Sequence, residues 1–154
     1  MRGLIAVMEI RRGRLRRAES RNIETFNTNS YHKMPYIVVI VDEYGGLRQS
    51  GGKAAEEYIV GLAQQGRAFG IHVVLATQHP TVNVVPSHIK ANVPNRIAFQ
   101  VASQSDSRVI LDAGGAESLL GRGNMLFLEM ESSHPRRIQG TYLDDMELGR
   151  IVEF

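Results

Sequence analysis

The sequence predicts an α/β fold built on a parallel sheet, and three observations carry that expectation. A continuous apolar run, Tyr36-Ile37-Val38-Val39-Ile40-Val41, opens after Pro35 and stops at two adjacent carboxylates, Asp42 and Glu43, before Gly45-Gly46. A second run, Ile71-His72-Val73-Val74-Leu75-Ala76, ends at Thr77-Gln78. Between them Ala55, Tyr58, Ile59, Leu62, Ala63 and Gly66 recur at the spacing of one helix face. Short β-branched runs without alternation read as strands buried on both faces, as in parallel sheets. A strand, a helical crossover and another strand form a right-handed unit, which brings Asp42, Glu43, Thr77 and Gln78 to one sheet edge. In open α/β sheets, ligands bind at the carboxyl ends of the strands.

The rest of the chain is read against that unit. Leu4, Ile5, Met8 and Leu15 give an apolar stripe to a helix over residues 3–17, whose other face carries Arg11, Arg12, Arg14, Arg16 and Arg17. Residues 19–33 are rich in Asn, Ser and Thr and read as a loop. Residues 45–53 read as a flexible stretch whose Gly51-Gly52-Lys53 is not a phosphate loop, since Leu47 stands where that motif needs glycine and Ala54 where it needs Ser or Thr. The crossover helix runs from Lys53 to Phe69 and is stopped by Gly70. Three prolines, Pro80, Pro86 and Pro94, make a loop of residues 79–94 with one helical turn near Ile89. Residues 95–101 predict a third strand. Ser103 to Ser107 offer N-caps for a short helix over residues 108–111, and Gly114-Gly115 ends it. Residues 124–128 and 136–142 read as an antiparallel pair, and Asp144-Asp145 start a final helix.

Composition bounds the rest. A chain of 154 residues with 43% hydrophobic and 22% charged residues predicts one soluble layered unit, without a membrane helix or a signal peptide. Cysteine is absent, which excludes disulfides and thiolate metal sites, and histidines at 32, 72, 79, 88 and 134 make no metal motif. No G-x-S-x-G elbow occurs. The net charge of +2 is uneven: residues 1–40 hold eight Lys/Arg against three Asp/Glu, residues 41–154 ten against thirteen. A basic end raises nucleic acid as a partner, and a solvated basic helix is the commoner explanation.

A strand ending in Asp-Glu suits nucleotide hydrolysis, with Asp42 holding magnesium through water and Glu43 orienting or deprotonating the attacking water. An acidic pair that caps a strand and begins a turn fits the same pattern. Gln78 reads either as a sensor of the terminal phosphate or as a polar strand cap.

Taken together, these stretches resemble the motor domain of the FtsK/SpoIIIE family of DNA translocases. Pro35 to Glu43 resembles its Walker B strand, and Leu75-Ala76-Thr77-Gln78, Ile89-Lys90-Ala91-Asn92, Arg96-Ile97-Ala98-Phe99, Asp106-Ser107-Arg108 and Gly114 to Gly123 follow in the family's order. The resemblance implies a partial RecA-like P-loop NTPase core from residue 35 to 154, with residues 1–34 leading in. That core has a mainly parallel sheet, helices on both faces and a C-terminal antiparallel pair. It implies ATP and Mg²⁺ as cofactors, with Asp42, Glu43, Thr77 and Gln78 at the nucleotide. It also implies a hexamer around double-stranded DNA, in which Arg67 reaches a neighbour's nucleotide as an arginine finger, a position that otherwise reads as a solvated helix arginine. His79, Lys90, Gln104 and Arg108 match positions facing the DNA, where His79 replaces the family's Arg, Gln104 its usual Lys, and Gly46 an acidic residue. The role implied is chromosome segregation or DNA transfer in the cytoplasm, without direct membrane contact.

No Walker A motif occurs in the chain. The expectation is therefore the C-terminal portion of a motor, inactive alone, without the DNA-recognition domain and membrane anchor that flank many family motors. A related secretion or conjugation ATPase, and a non-catalytic DNA-binding or assembly module, are the alternatives.

Overall fold

The computed structural model describes residues 2–153. The chain divides into two units, Met1–His79 and Pro80–Phe154.

In the first unit helix α1 spans Arg2–Arg17, α2 Ile23–Asn29, strand β1 Ile37–Val41, helix α3 Tyr44–Gln65 and strand β2 Ile71–Leu75. β1 and β2 are parallel and in register from Ile37 opposite Ile71 to Val41 opposite Leu75. α1 meets the sheet through Met8, with Leu4 and Ile5 beside it, and α3 through Leu62; both pack on Ile37, Val39, Ile71 and Val73. The second face of the pair is open, with Val38 59% and Ile40 70% exposed. The expectation of strands covered on both faces is thus corrected: the described helices of this unit pack on one. Lack of alternation marks residues fit for burial, and here no described helix of this unit supplies the second cover.

Three further differences have local causes. Residues 19–33 are not all loop, because Asn22 caps α2 by accepting from the Thr25 amide at 2.8 Å and Ile23 is buried with Leu15 and Met34. The glycine-rich residues 44–51 are helical rather than flexible. Their helix begins on buried Tyr44, whose amide donates to the Ala76 carbonyl at 2.7 Å. Glycines weaken a helix by about 1 kcal/mol each relative to alanine, so tertiary anchoring decides here. The helix bends at Gly52 (φ 58°, ψ −156°), and Arg48 Nε bonds Glu56 Oε2 across the bend at 2.6 Å. The helix end also differs: α3 closes into a 3₁₀ turn, Gly66–Phe69. Gly70 follows at φ 69°, where a Cβ would lie 2.4 Å from Ile23 Cδ1.

In the second unit helix α4 spans Ser87–Asn92, strand β3 Arg96–Ala98, helix α5 Gln104–Leu111, strands β4 and β5 Asn124–Leu128 and Arg136–Gln139, and helix α6 Asp145–Val152. The antiparallel pair is present as β4 and β5, with Met125 opposite Ile138. The third strand does not extend a parallel sheet: β3 lies antiparallel on β4, Ile97 opposite Phe127. The mainly parallel sheet is corrected accordingly, to a parallel pair in one unit and an antiparallel three-stranded sheet in the other. Ala98, Leu111, Ala116, Leu119 and Leu128 form the core beneath it. Buried Ser107 ties the Gly114-Gly115 loop down, donating to the Ala113 carbonyl at 2.8 Å and accepting from the Ala116 amide at 3.1 Å. Ser103 caps α5, and Asp144 with Glu147 forms a capping box on α6.

Candidate functional site

The parallel register sets the site. Because Val41 lies opposite Leu75, the residues after both strands emerge at the same edge. The Ala76 amide donates to the Val41 carbonyl at 2.9 Å and the Tyr44 amide to the Ala76 carbonyl at 2.7 Å, so Asp42 and Glu43 are stitched to the end of β2 from both sides. Glu43 adopts a left-handed backbone (φ 52°, ψ 70°). For a residue with a Cβ that conformation costs about 1–2 kcal/mol, and tertiary bonds hold it. Its Oε1 accepts from Thr77 Oγ1 at 2.8 Å and its Oε2 from the Gln78 amide at 3.0 Å. Thr77 Oγ1 in turn accepts from the His79 amide at 3.1 Å.

These bonds stabilise the charged form. The Glu43 carboxyl is held below its ordinary value, first by the Gln78 amide and then by the Thr77 hydroxyl. Asp42 differs: its side chain is exposed and makes no hydrogen bond or ion pair among the described residues. The structure therefore brings Asp42, Glu43, Thr77 and Gln78 together, with one carboxylate fixed and the other free. Beneath them Tyr44 is buried with its hydroxyl unpaired, and burial first, then the charge of Glu56, pushes its phenol up.

Arg67 stands elsewhere in the first unit, exposed on the turn after α3. It lines an open cleft of about 730 Å³ with Arg12, Arg21, Asn22, Tyr36 and Gln64 among its neighbours. His79 follows Gln78 and is exposed.

In the second unit Gln104 and Arg108 are exposed on α5, four residues apart and so on one face. Gln104 rests against Gly114, where a Cβ would come within 2.9 Å of its Nε2. Lys90 is engaged. Its Nζ lies 2.6 Å from Asp112 Oδ1, while Arg96 Nη1 reaches Asp112 Oδ2 at 2.6 Å and the Ile110 carbonyl at 2.8 Å. The two cations hold the Asp112 carboxyl below its usual range, Lys90 contributing most.

Two functional-looking residues escaped sequence reasoning. Asp112 has no role in the sequence reading, although an acidic residue after a helix C-terminus is itself a signal, since the dipole there favours a cation. Arg11 belongs to no solvated face: it is buried and donates to the Phe69 carbonyl at 2.6 Å and the Pro35 carbonyl at 2.7 Å. Those partners are 58 and 24 residues away, beyond any local pattern.

The chain resembles known proteins in sequence and in fold. The FtsK/SpoIIIE family profile matches residues 20–82. Over its whole length the chain is 49% identical to the DNA translocase FtsK of Halalkalibacterium halodurans, spanning 21% of that protein. It is 56% identical to the DNA translocase FtsK of Haemophilus ducreyi over 79% of the chain and 13% of the relative. The solved structure of the pCW3 conjugation coupling protein TcpA, in monomer form with ATPγS, matches with a TM-score of 0.82 and 27% identity, over 99% of this chain and 46% of that one. ATPases 2 and 3 of EssC from Geobacillus thermodenitrificans match in fold, with a TM-score of 0.83 at 18% identity, over 99% of this chain and 29% of that one. The chain spans about a fifth of the length of curated relatives such as the Halalkalibacterium protein.

Proposed function

Because the chain belongs to the FtsK/SpoIIIE family and shares the fold of P-loop ATPase domains, we propose that it carries the catalytic carboxylates of an ATP-driven motor that moves double-stranded DNA. One observation carries the reading: a fixed, ionised Glu43 beside a free Asp42 at the carboxyl ends of two parallel strands.

The residues divide the work by their surroundings. Glu43 has two hydrogen bonds to neutral donors and a depressed pKa, which make it a poor proton acceptor and a good acceptor of a water's hydrogen bond. Its role is to orient the attacking water. Asp42 fits a magnesium site held through water, since its carboxylate is free and exposed. Among the described residues no three metal-ligating side chains gather, which suits a cation that takes one protein carboxylate and completes its shell with water and phosphate. When bound, Mg²⁺ neutralises charge on the phosphate oxygens. Gln78, anchored through its own amide to Glu43, presents an exposed side chain where the terminal phosphate would lie. Arg67 acts across a subunit boundary as an arginine finger in a hexamer. His79, Gln104 and Arg108 face the duplex. Lys90 meets phosphate only by leaving Asp112. The role remains chromosome segregation or DNA transfer.

Calorimetry with ATP and magnesium tests the reading. The chain alone is expected to bind weakly and to hydrolyse nothing. The same chain joined to a family-type phosphate-loop segment is expected to bind tightly, and Asp42→Ala is expected to abolish that binding. No binding in either form would shift the reading to a non-catalytic module. Steady hydrolysis by the chain alone, lost in Glu43→Gln, would overturn the claim that it is inactive by itself.

A second reading, a secretion or conjugation ATPase, draws on His79 and Gln104 standing where the family has Arg and Lys, and on a Lys90 paired with Asp112. Duplex binding by the phosphate-loop form that weakens steeply with salt favours the DNA motor. Salt-independent or absent binding favours the other.

A further inference from the structure

The cleft beside Arg67 holds more positive charge than a single finger needs. Arg12, Arg21 and Arg67 line it, against one carboxylate, Glu24, with Asn22, Tyr36, Gln64, Gln65 and His72 as the other polar groups. The three arginines differ in their commitments. Arg12 is spent internally: its Nη1 bonds Glu9, its Nη2 bonds Gln65 Oε1 at 2.8 Å, and its guanidinium stacks 5.4 Å above Phe69. Arg21 and Arg67 are exposed, and neither side chain makes a hydrogen bond or ion pair among the described residues, Glu24 included. Two uncommitted guanidinium groups lining one cleft repel each other, and an anion bound between them relieves that repulsion.

The scaffold holds the two segments that carry them together. Arg21 precedes Asn22, the cap of α2, and Ile23, the first residue of that helix, is buried against Leu15 and Met34. The same Ile23 packs against Gly70, three residues beyond Arg67, where its Cδ1 occupies the space of a missing Cβ. A single apolar seam therefore joins the two segments that present the arginines. The Tyr36 ring reaches the same seam, lying 3.2 Å from that Cβ position and tilted against His72 at 5.8 Å.

We propose that Arg21 is a second phosphate-binding cation, acting with Arg67 on the polyphosphate of a nucleotide held by another copy of the chain. This rests on the reading of Arg67 as an arginine finger and adds a residue from a different element.

Inorganic tripolyphosphate titrated calorimetrically into the 154-residue chain tests it. Saturable binding is expected, weakened roughly tenfold in Arg21→Ala and in Arg67→Ala, as for loss of one charge-assisted contact. Arg21→Lys should recover part of the loss, since lysine keeps the charge without the fork. Arg16→Ala, on an exposed residue outside the cleft, should bind as the parent does. Arg21→Ala binding within twofold of the parent would overturn the proposal and leave Arg67 as the lone finger. Arg67→Ala binding like the parent would sink the finger reading itself. An equal loss in Arg16→Ala would reduce the effect to general charge, and no saturable binding by the parent would end the proposal. A short duplex DNA that binds the chain tightly and loses binding in Arg21→Ala, with tripolyphosphate unaffected, would assign the cleft to DNA instead. All variants change exposed side chains, and circular dichroism with thermal melting checks that each is folded.

Discussion

Glu43 and Asp112 are two carboxylates in nearly the same backbone conformation, φ 52° and φ 59°, each at the end of a helix and each with a depressed pKa. Their partners differ in charge. Glu43 is held by a hydroxyl and an amide, which stabilise its charge without cancelling it. Asp112 is held by a lysine and an arginine, which cancel it. The low pKa alone therefore does not mark a reactive group. A carboxylate oriented by neutral donors keeps its field for a ligand, whereas one clamped between cations serves as a structural tie.

The sharpest way to break that contrast is to remove one negative charge from each. Glu43→Gln keeps the side chain's size and an acceptor for Thr77 or Gln78, and it removes the charge proposed to orient water. In the form carrying a phosphate loop, turnover is expected to fall on the order of 10²–10³-fold with ATP affinity little changed, measured by steady-state hydrolysis and calorimetry. Asp112→Asn should spare turnover per bound nucleotide and act on the second unit instead. Lys90 and Arg96 would then lie near one another without a neutralising carboxylate, Arg96 keeping its bond to the Ile110 carbonyl. The pair is partly exposed, so the loss of stability is about 1 kcal/mol, read from a denaturant midpoint. Freed Lys90 should tighten duplex DNA binding and steepen its salt dependence by about one unit of slope. Equal effects of both variants on turnover would erase the distinction.

Much of the site was legible because it follows from two local patterns, an apolar run ended by carboxylates and another ended by Thr-Gln, joined by a helix of correct period. Parallel pairing then dictates that the polar ends meet. What stayed hidden depends on distant partners. Tyr44 makes a helix out of residues 44–51 through the Ala76 carbonyl, against the low helix propensity of Gly45, Gly46 and Gly51. The buried Arg11 is read as solvent-facing until Phe69 and Pro35 are placed beside it. β3 has the same apolar character whether its neighbour is parallel or antiparallel, so its placement on β4 could not be read from residues 95–101. The Lys90 pairing hides for the same reason, since Asp112 lies 22 residues on.

The subtlest probe of the comparison is Thr77→Val, which preserves shape and deletes the hydroxyl that donates to Glu43 Oε1. The Gln78 amide remains, and as the larger cause of the depressed pKa it should keep part of the shift. The Glu43 carboxyl should therefore move up toward, without reaching, its ordinary value near 4.5, followed by carbon-detected NMR titration of the side chain. The sign of the linkage follows. A carboxyl whose folded pKa lies below its unfolded one adds stability that is present above the unfolded value and lost as pH falls through the folded value. Removing the Thr77 bond should narrow that window from its acid side, so the variant loses its Glu43-dependent stability at a higher pH than the parent. Turnover near neutral pH should change less than in Glu43→Gln, because the charge remains and only its aim is loosened. An unchanged titration would mean that the Thr77 hydroxyl contributes nothing to holding Glu43 in place, and the contrast with Asp112 would then rest on the backbone amide alone.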